Sequence, residues 1–167
     1  MKIEVRRSHF IGICNRADSV EEARAYLALL RQRYSEASHR VYAFAIGHGA
    51  TVTHGMSDDG EPSGTAGRPV LAVLQGAGIG DAVVAVIRYF GGTKLGTGGL
   101  VRAYTQAAQE VLAVTPTQSR VETETRVLQL PYDRYKPCRA VIDRAGLSLE
   151  SEFFTEIVTL TLCAGVD

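Results

Sequence analysis

Asp58, Asp59 and Glu61 stand side by side ahead of Ser63, Thr65 and Arg68, and a second group, Arg88, Lys94 and Arg102, is threaded through Gly91, Gly92, Gly96, Gly98 and Gly99. Carboxylates that close can hold magnesium, which takes one or two of them and keeps several waters. Asp58-Asp59-Gly60 is equally good turn chemistry with solvated charges. Cations set among glycines suit an anion, because uncovered amides and a helix N-terminus both favour negative charge. The spellings of known phosphate loops are absent. A Walker A loop needs Gly-Lys followed by Ser or Thr, whereas Lys94 lies between Thr93 and Leu95, and a dinucleotide fingerprint begun at Gly96 needs glycine or alanine where Val101 stands. Ser63 lacks the glycine two residues earlier that a nucleophile elbow requires, so Ser63 or Thr65 reads better as a helix cap. His9, His39, His48 and His54 form no H-E-x-x-H, and Cys14 and Cys163 fit apolar strands as small buried side chains. Arg88 interrupts the most apolar run in the chain. It needs either a buried partner among Asp58, Asp59 and Glu61 or an open groove shared with Lys94 and Arg102, and the pairing is preferred.

Of the 17 glycines, 14 fall between Gly47 and Gly99, which concentrates backbone freedom and close approach in one third of the sequence. The rest of the composition bounds the class. A chain of 167 residues, 46% hydrophobic and 22% charged, has enough apolar mass for a core without staples. Three scattered cysteines form no C-x-x-C and support neither a disulfide framework nor a zinc ribbon. No leader is expected, and no apolar run approaches the ~18 residues of a membrane helix. A cytoplasmic location without membrane contact is therefore expected. Eighteen basic and eighteen acidic residues cancel, which argues against a strongly basic nucleic-acid binder but leaves room for a local patch.

The elements that would position these loops follow from periodicity. Lys2 to Cys14 reads as one half-buried strand, and Ser19 with Glu22 forms a capping box for a helix from Val20 to about Glu36. Val41 to Ile46 and Thr51 to Met56 read as an antiparallel pair around the loop Gly47-His48-Gly49-Ala50. After the first rich loop, Pro69 suits the first turn of a short helix ending by Gly76, with a strand as the less favoured reading. Ala82 to Phe90 is almost wholly apolar, the pattern of a central strand, and Leu100 to Leu112 recurs at helical spacing before Thr115-Pro116. Beyond a linker the pattern becomes a strand from Arg120 to Leu130 beginning its alternation at Val121, a helix capped by Asp133 and closed by Gly146, and strands Leu147–Phe154 and Glu156–Cys163. That order is three quarters of a split β-α-β unit.

The runs Asp58 to Pro69 and Arg88 to Tyr104 resemble the two signatures of the IMPACT/YigZ family, and Ala37-Ser38-His39 ahead of an aromatic strand resembles a weaker third feature. The resemblance implies an α+β protein: an N-terminal α/β domain like elongation factor G domain IV over residues 1–115, then a ferredoxin-like β-α-β-β domain over residues 120–167 that reads as truncated. Eukaryotic relatives are translational regulators that bind a scaffold of a starvation-response kinase, and RNA or ribosome binding has been proposed for bacterial ones from their fold. Against that pattern the sequence reads as starting at the first strand and ending before a last helix and strand, and no kinase-like or RNA-binding extension is expected.

The expected function is a non-enzymatic cytosolic regulator that binds RNA, the ribosome or a translation-related protein. Its contacts are Arg68, Arg88, Gly91, Gly92, Lys94, Gly96, Gly98, Gly99 and Arg102, with Asp58, Asp59, Gly60, Glu61, Ser63, Gly64 and Thr65 as the companion loop. No catalytic residue, resident metal or cofactor is assigned. The alternative is a magnesium-dependent enzyme on a small phosphorylated substrate in the same cleft, with Asp58, Asp59 or Glu61 on the metal and Lys94 on phosphate. A monomer or weak dimer is expected, any dimer forming through an exposed edge at Glu156–Cys163.

Overall fold

In the computed structural model of the chain, which describes residues 1–49, 51–120 and 123–165, the expected first strand folds back on itself. Lys2–Val5 (β1) and Ser8–Arg16 (β2) form a hairpin. Arg6 and Arg7 make its turn with φ of 47° and 68°, both positive, as the tight turn that matches strand twist requires. The usual Asn-Gly spelling of that turn is absent, and so the sequence reads straight through it.

Val20–Arg33 (α1) follows. Ser19 Oγ accepts from the Glu22 amide at 3.1 Å, while the Glu22 carboxylate accepts from the amide of Asp18 at 2.9 Å, one residue ahead of the ideal capping box. His39–Ile46 (β3) and Thr53–Ser57 (β4) pair antiparallel. Ala50, at the end of their expected loop, and Val121, at the head of the later alternation, lie outside the described residues. Gly67–Gly76 (α2) is a helix, as preferred. Its N-cap is Ala66, which supplies no side-chain bond, so neither Ser63 nor Thr65 caps it. Ala82–Tyr89 (β5) and Thr97–Ala113 (α3) complete the first unit.

Strand order is β1-β2-β5-β3-β4, every neighbouring pair antiparallel, which puts the most apolar strand in the centre. Helices cover both faces. On one, Phe10, Val41, Val84 and Val86 meet Val70 and Leu74 of α2 and Tyr104, Ala108 and Val111 of α3. On the other, Val83, Ala85 and Ile87 meet Ala23 and Leu30 of α1. The alternation of two apolar sets along one strand is what burying both sheet faces demands.

Thr123–Leu130 (β6), Tyr132–Ala145 (α4), Ser148–Phe154 (β7) and Val158–Gly165 (β8) belong to a second unit, Gln118–Asp167, separate from Met1–Thr117. The protein is thus α+β in two units. The N-cap of α4 is Pro131, with Asp133 inside the first turn, and Gly146 closes the helix at φ 68° as expected. Order in this sheet is β6-β8-β7, so β8 lies in the middle with Val158 and Leu160 fully buried. The expectation of a free edge at Glu156–Cys163 is therefore wrong: the edges are β6 and β7. Three adjacent elements in sequence cannot tell which strand will be central, because β8 pairs with a strand before the helix as well as with its hairpin partner. Among the described residues no helix is long and apolar enough to cross a membrane.

Candidate functional site at one end of the larger sheet

Antiparallel register brings Phe10 of β2 and His39 of β3 to either side of Arg88, next to last in β5. The start of β3 and the end of β5 therefore share one end of the sheet with the turn between β1 and β2. Both signature loops leave from this end, one after β4 and one after β5.

Arg88 is only 5% exposed and Glu61 7%, so the cation assigned to a ligand surface lies in the core. Its Nη1 donates to Glu61 Oε1 at 2.5 Å, and the Tyr104 hydroxyl of α3 donates to the same oxygen at 2.8 Å. Arg88 Nη2 reaches Ser8 Oγ at 3.4 Å, and His39 Nε2 stands 3.8 Å from Glu61. The guanidinium lies over the rings of Phe10 and Phe90, 5.4 and 5.5 Å from their centroids. A buried ion pair recovers its desolvation cost only when further hydrogen bonds support it; here the tyrosine, the serine and two ring faces contribute, while Arg88 Nε is buried without a hydrogen-bond partner among the described residues. Burial first, and then the neighbouring Glu61 charge, push the Tyr104 hydroxyl far above its ordinary range, which keeps it a neutral donor. Among the preferred partners of Arg88, Glu61 is the one that closes the pair.

Glu61 reaches the core because of a tight turn. Asp59 and Gly60 have φ of 44° and 87°, and the Glu61 amide donates to the Asp58 carbonyl at 3.0 Å. The Asp58 carboxylate then accepts from the amides of Gly64 (2.8 Å), Ala66 (3.0 Å) and Gly67 (2.7 Å). It caps α2 from nine residues upstream. Burial alone would raise the Asp58 carboxyl, but those three amides and the charge of Arg68 outweigh it and hold the pKa below the usual carboxylate range. Asp59 accepts from Arg31 Nη2 at 2.9 Å and from the Arg40 amide at 2.7 Å. The three carboxylates of the magnesium reading therefore serve three different structural groups. Among the described residues no cluster of His, Cys, Asp and Glu has the arrangement of a metal site.

The second loop is built against the first hairpin. A Cβ at Gly91 would lie 2.0 Å from the Arg7 carbonyl oxygen, so only glycine lets the Arg6-Arg7 turn close on it. The Gly91 amide donates to Ser8 Oγ at 3.2 Å. Gly92 and Gly96 have φ of 84° and 71°, which an L side chain rarely adopts. Gly96 is the N-cap of α3, so Gly98 and Gly99 lie in the first turn of the helix and not in a loop. No side chain caps that turn and no acidic residue occupies it, which leaves its amides uncovered. Gly99 packs against Leu95, 3.1 Å from where its Cβ would be, whereas a Cβ at Gly98 would meet open space.

Arg68, Lys94 and Arg102 are exposed and form no ion pair among the described residues. Ser63 and Gly60 are exposed, Gly64 is half-buried with φ 74°, and Thr65 is buried with its hydroxyl on the Pro62 carbonyl at 2.6 Å. Sequence reasoning missed Arg6 and Arg7, exposed and seated beside Gly91. The available signal was two adjacent arginines in a run that otherwise alternates as a strand. Beside the loop, an apolar groove of about 840 Å³ between α2 and α3 runs from Arg68 past Val73, Val101 and Thr105 to Leu112. Burial raises the Cys14 thiol, in part against a hydrogen bond from Thr115, so it is a poor nucleophile.

A sequence profile of the Impact N-terminal domain matches residues 6–112. An IMPACT family member of Haemophilus influenzae (strain ATCC 51907 / DSM 11121 / KW20 / Rd) is 35% identical over 95% of this chain and 78% of its own length. The IMPACT family member YigZ of Escherichia coli (strain K12) is 36% identical over 90% of this chain and 74% of its own. A crystal structure of a hypothetical protein superposes with a TM-score of 0.71 at 34% identity, over 98% of this chain and 80% of that one. The two-domain translational regulator Yih1 aligns with a TM-score of 0.46 at 24% identity over 67% of this chain and 44% of its own, too distant a likeness to bear on function. A profile match from the first hairpin to the last turn of α3, with relatives alike over nearly the whole chain, places this protein in the IMPACT family.

Proposed function

We propose that this end of the larger sheet is a non-enzymatic contact surface for RNA phosphates, used by a cytoplasmic protein acting with the translation machinery. The observation that carries the reading is Gly98. Its torsion is not left-handed and no neighbour crowds it, so neither backbone geometry nor packing asks for glycine there. Glycine in a helix costs up to about 1 kcal/mol relative to alanine. A position that gives up stability without a return in the fold fits one whose amide must stay open to a ligand. Arg6 and Arg7 in the turn beside Gly91, with Lys94, Arg68 and Arg102 on the signature loops and the helices that follow them, supply exposed positive charge. Arg88, expected to join them, contributes by holding the two loops together. Asp58, Asp59 and Glu61, the carboxylates that the enzyme reading needs for magnesium, are each already engaged by backbone amides or a guanidinium, which weighs against that reading.

The test is binding of a single-stranded and a duplex RNA oligonucleotide as a function of salt. Three to four phosphate contacts give a log-log slope of about −2 to −4. Lys94→Ala with Arg102→Ala should lower affinity and flatten that slope, while Arg16→Ala, at the opposite end of the sheet, should do neither. Salt-independent binding, or a double variant indistinguishable from wild type, rules this surface out.

A further inference from the structure

Phe90 is 49% exposed, and among the described residues of Met1–Thr117 it is the one exposed aromatic side chain. A single apolar side chain in water needs no explanation by itself. What sets Phe90 apart is how it is held. It follows directly on the central strand β5, whose last residue, Tyr89, pairs with His9. Its own amide donates to Ser38 Oγ at 3.0 Å. The Arg88 guanidinium lies over its ring, 5.5 Å from the centroid, and rests as well over the fully buried ring of Phe10. The next residue, Gly91, has no room for a side chain beneath the Arg7 carbonyl. One face of the ring is therefore backed by a buried cation and both adjoining peptides are fixed, while the rest of the ring stays in water.

We infer that the outer face of Phe90 is a stacking platform for one unpaired base of a single-stranded RNA whose phosphates follow the cations beside it. The inference rests on the phosphate-contact reading of this surface and adds the class of RNA. A ring that is already held loses little conformational entropy when a base lies on it, and every base has a π face to offer. The cations are placed to reach the phosphates flanking that base. The Arg6-Arg7 turn closes against Gly91, one residue from the ring, and Lys94, four residues along the chain, is at most about 14 Å away. Arg6, Arg7 and Lys94 are exposed and form no ion pair among the described residues, which favours a polyanion over an apolar protein patch as the occupant. Within a duplex both faces of each base are taken by its neighbours, so the interior of a helical RNA has nothing to lay on this ring.

The experiment compares three probes on the full chain by fluorescence anisotropy: a short labelled single-stranded RNA, the same strand with abasic sugars throughout, and a long RNA duplex. Wild type should bind the intact strand about 5- to 100-fold more tightly than the abasic one. Phe90→Leu should bring the intact strand down to the affinity of the abasic strand, whereas Phe90→Tyr should keep the difference. Phe90→Trp gives the chain its only tryptophan, whose emission the intact strand should quench and the abasic strand and duplex should not. Far-UV circular dichroism checks each variant, and if Phe90→Leu fails to fold, the quenching decides. Equal wild-type affinity for intact and abasic strands, a folded Phe90→Leu variant that binds the intact strand like wild type, or quenching by the duplex as strong as by the single strand each overturns stacking at Phe90. Salt-dependent binding of the abasic strand would in those cases still uphold the phosphate surface. Failure of every probe to bind overturns both.

Discussion

Replacing Arg88 with methionine keeps much of the side-chain volume but strands the carboxylate of Glu61, 7% exposed, with only the Tyr104 hydroxyl and the more distant His39 ring to face it. Breaking one side of a buried pair costs about 3–5 kcal/mol, and the loss of ring contacts to Phe10 and Phe90 adds to it. For a unit the size of Met1–Thr117 that is a fall in Tm of about 10–20 °C. Glu61→Leu alone should cost a similar amount, because it leaves the guanidinium unpaired. The double variant Arg88→Met with Glu61→Leu should recover most of the loss, since an apolar replacement of a whole buried pair is near neutral. Urea unfolding followed by far-UV circular dichroism measures it, the chain having no tryptophan. Two units call for two transitions, and the one belonging to Gln118–Asp167 should not move. A single Arg88→Met variant that loses under about 1 kcal/mol, or a double variant no better than the sum of the singles, refutes the buried-pair account.

Asp58→Asn removes a charged acceptor from three amides and sets an amide donor against at least one of them, so unfolding free energy should fall by about 1–3 kcal/mol in denaturant titration. Because the folded-state pKa of Asp58 is depressed below 3.8, its contribution is complete above that value and is lost as pH falls through the lower folded pKa. The wild-type advantage over Asp58→Asn should shrink there, and an advantage unchanged down to the acid transition counts against the capping role. Gly98→Ala should raise the stability of the first unit by about 0.5–1 kcal/mol while weakening RNA binding, a split that calorimetry and a filter-binding assay resolve. A variant both more stable and fully binding-competent removes the functional reason for that glycine.

Local chemistry made much of this protein readable from its residues in order. The capping serine of α1, the wholly apolar β5, the helical spacing of α3 and the left-handed Gly146 that ends α4 each depend on neighbours a few positions away. The two loops that bound the site announced themselves through glycine and charge, and Arg88 in an apolar strand announced that it needed a partner. Which carboxylate answered was decided by the Asp59-Gly60 turn, which aims Glu61 inward and leaves Asp58 facing the start of α2. The hairpin at Arg6-Arg7 was invisible because its torsions are held by the strands it joins and by the close approach of Gly91, not by its own residue types. The cap of α2 was invisible for a related reason: the acceptor lies nine residues from the amide it satisfies, beyond any local motif. Central or edge status in the second sheet belongs to the pairing of β8 with both of its neighbours, and such a contact exists only once strands distant in the chain have met.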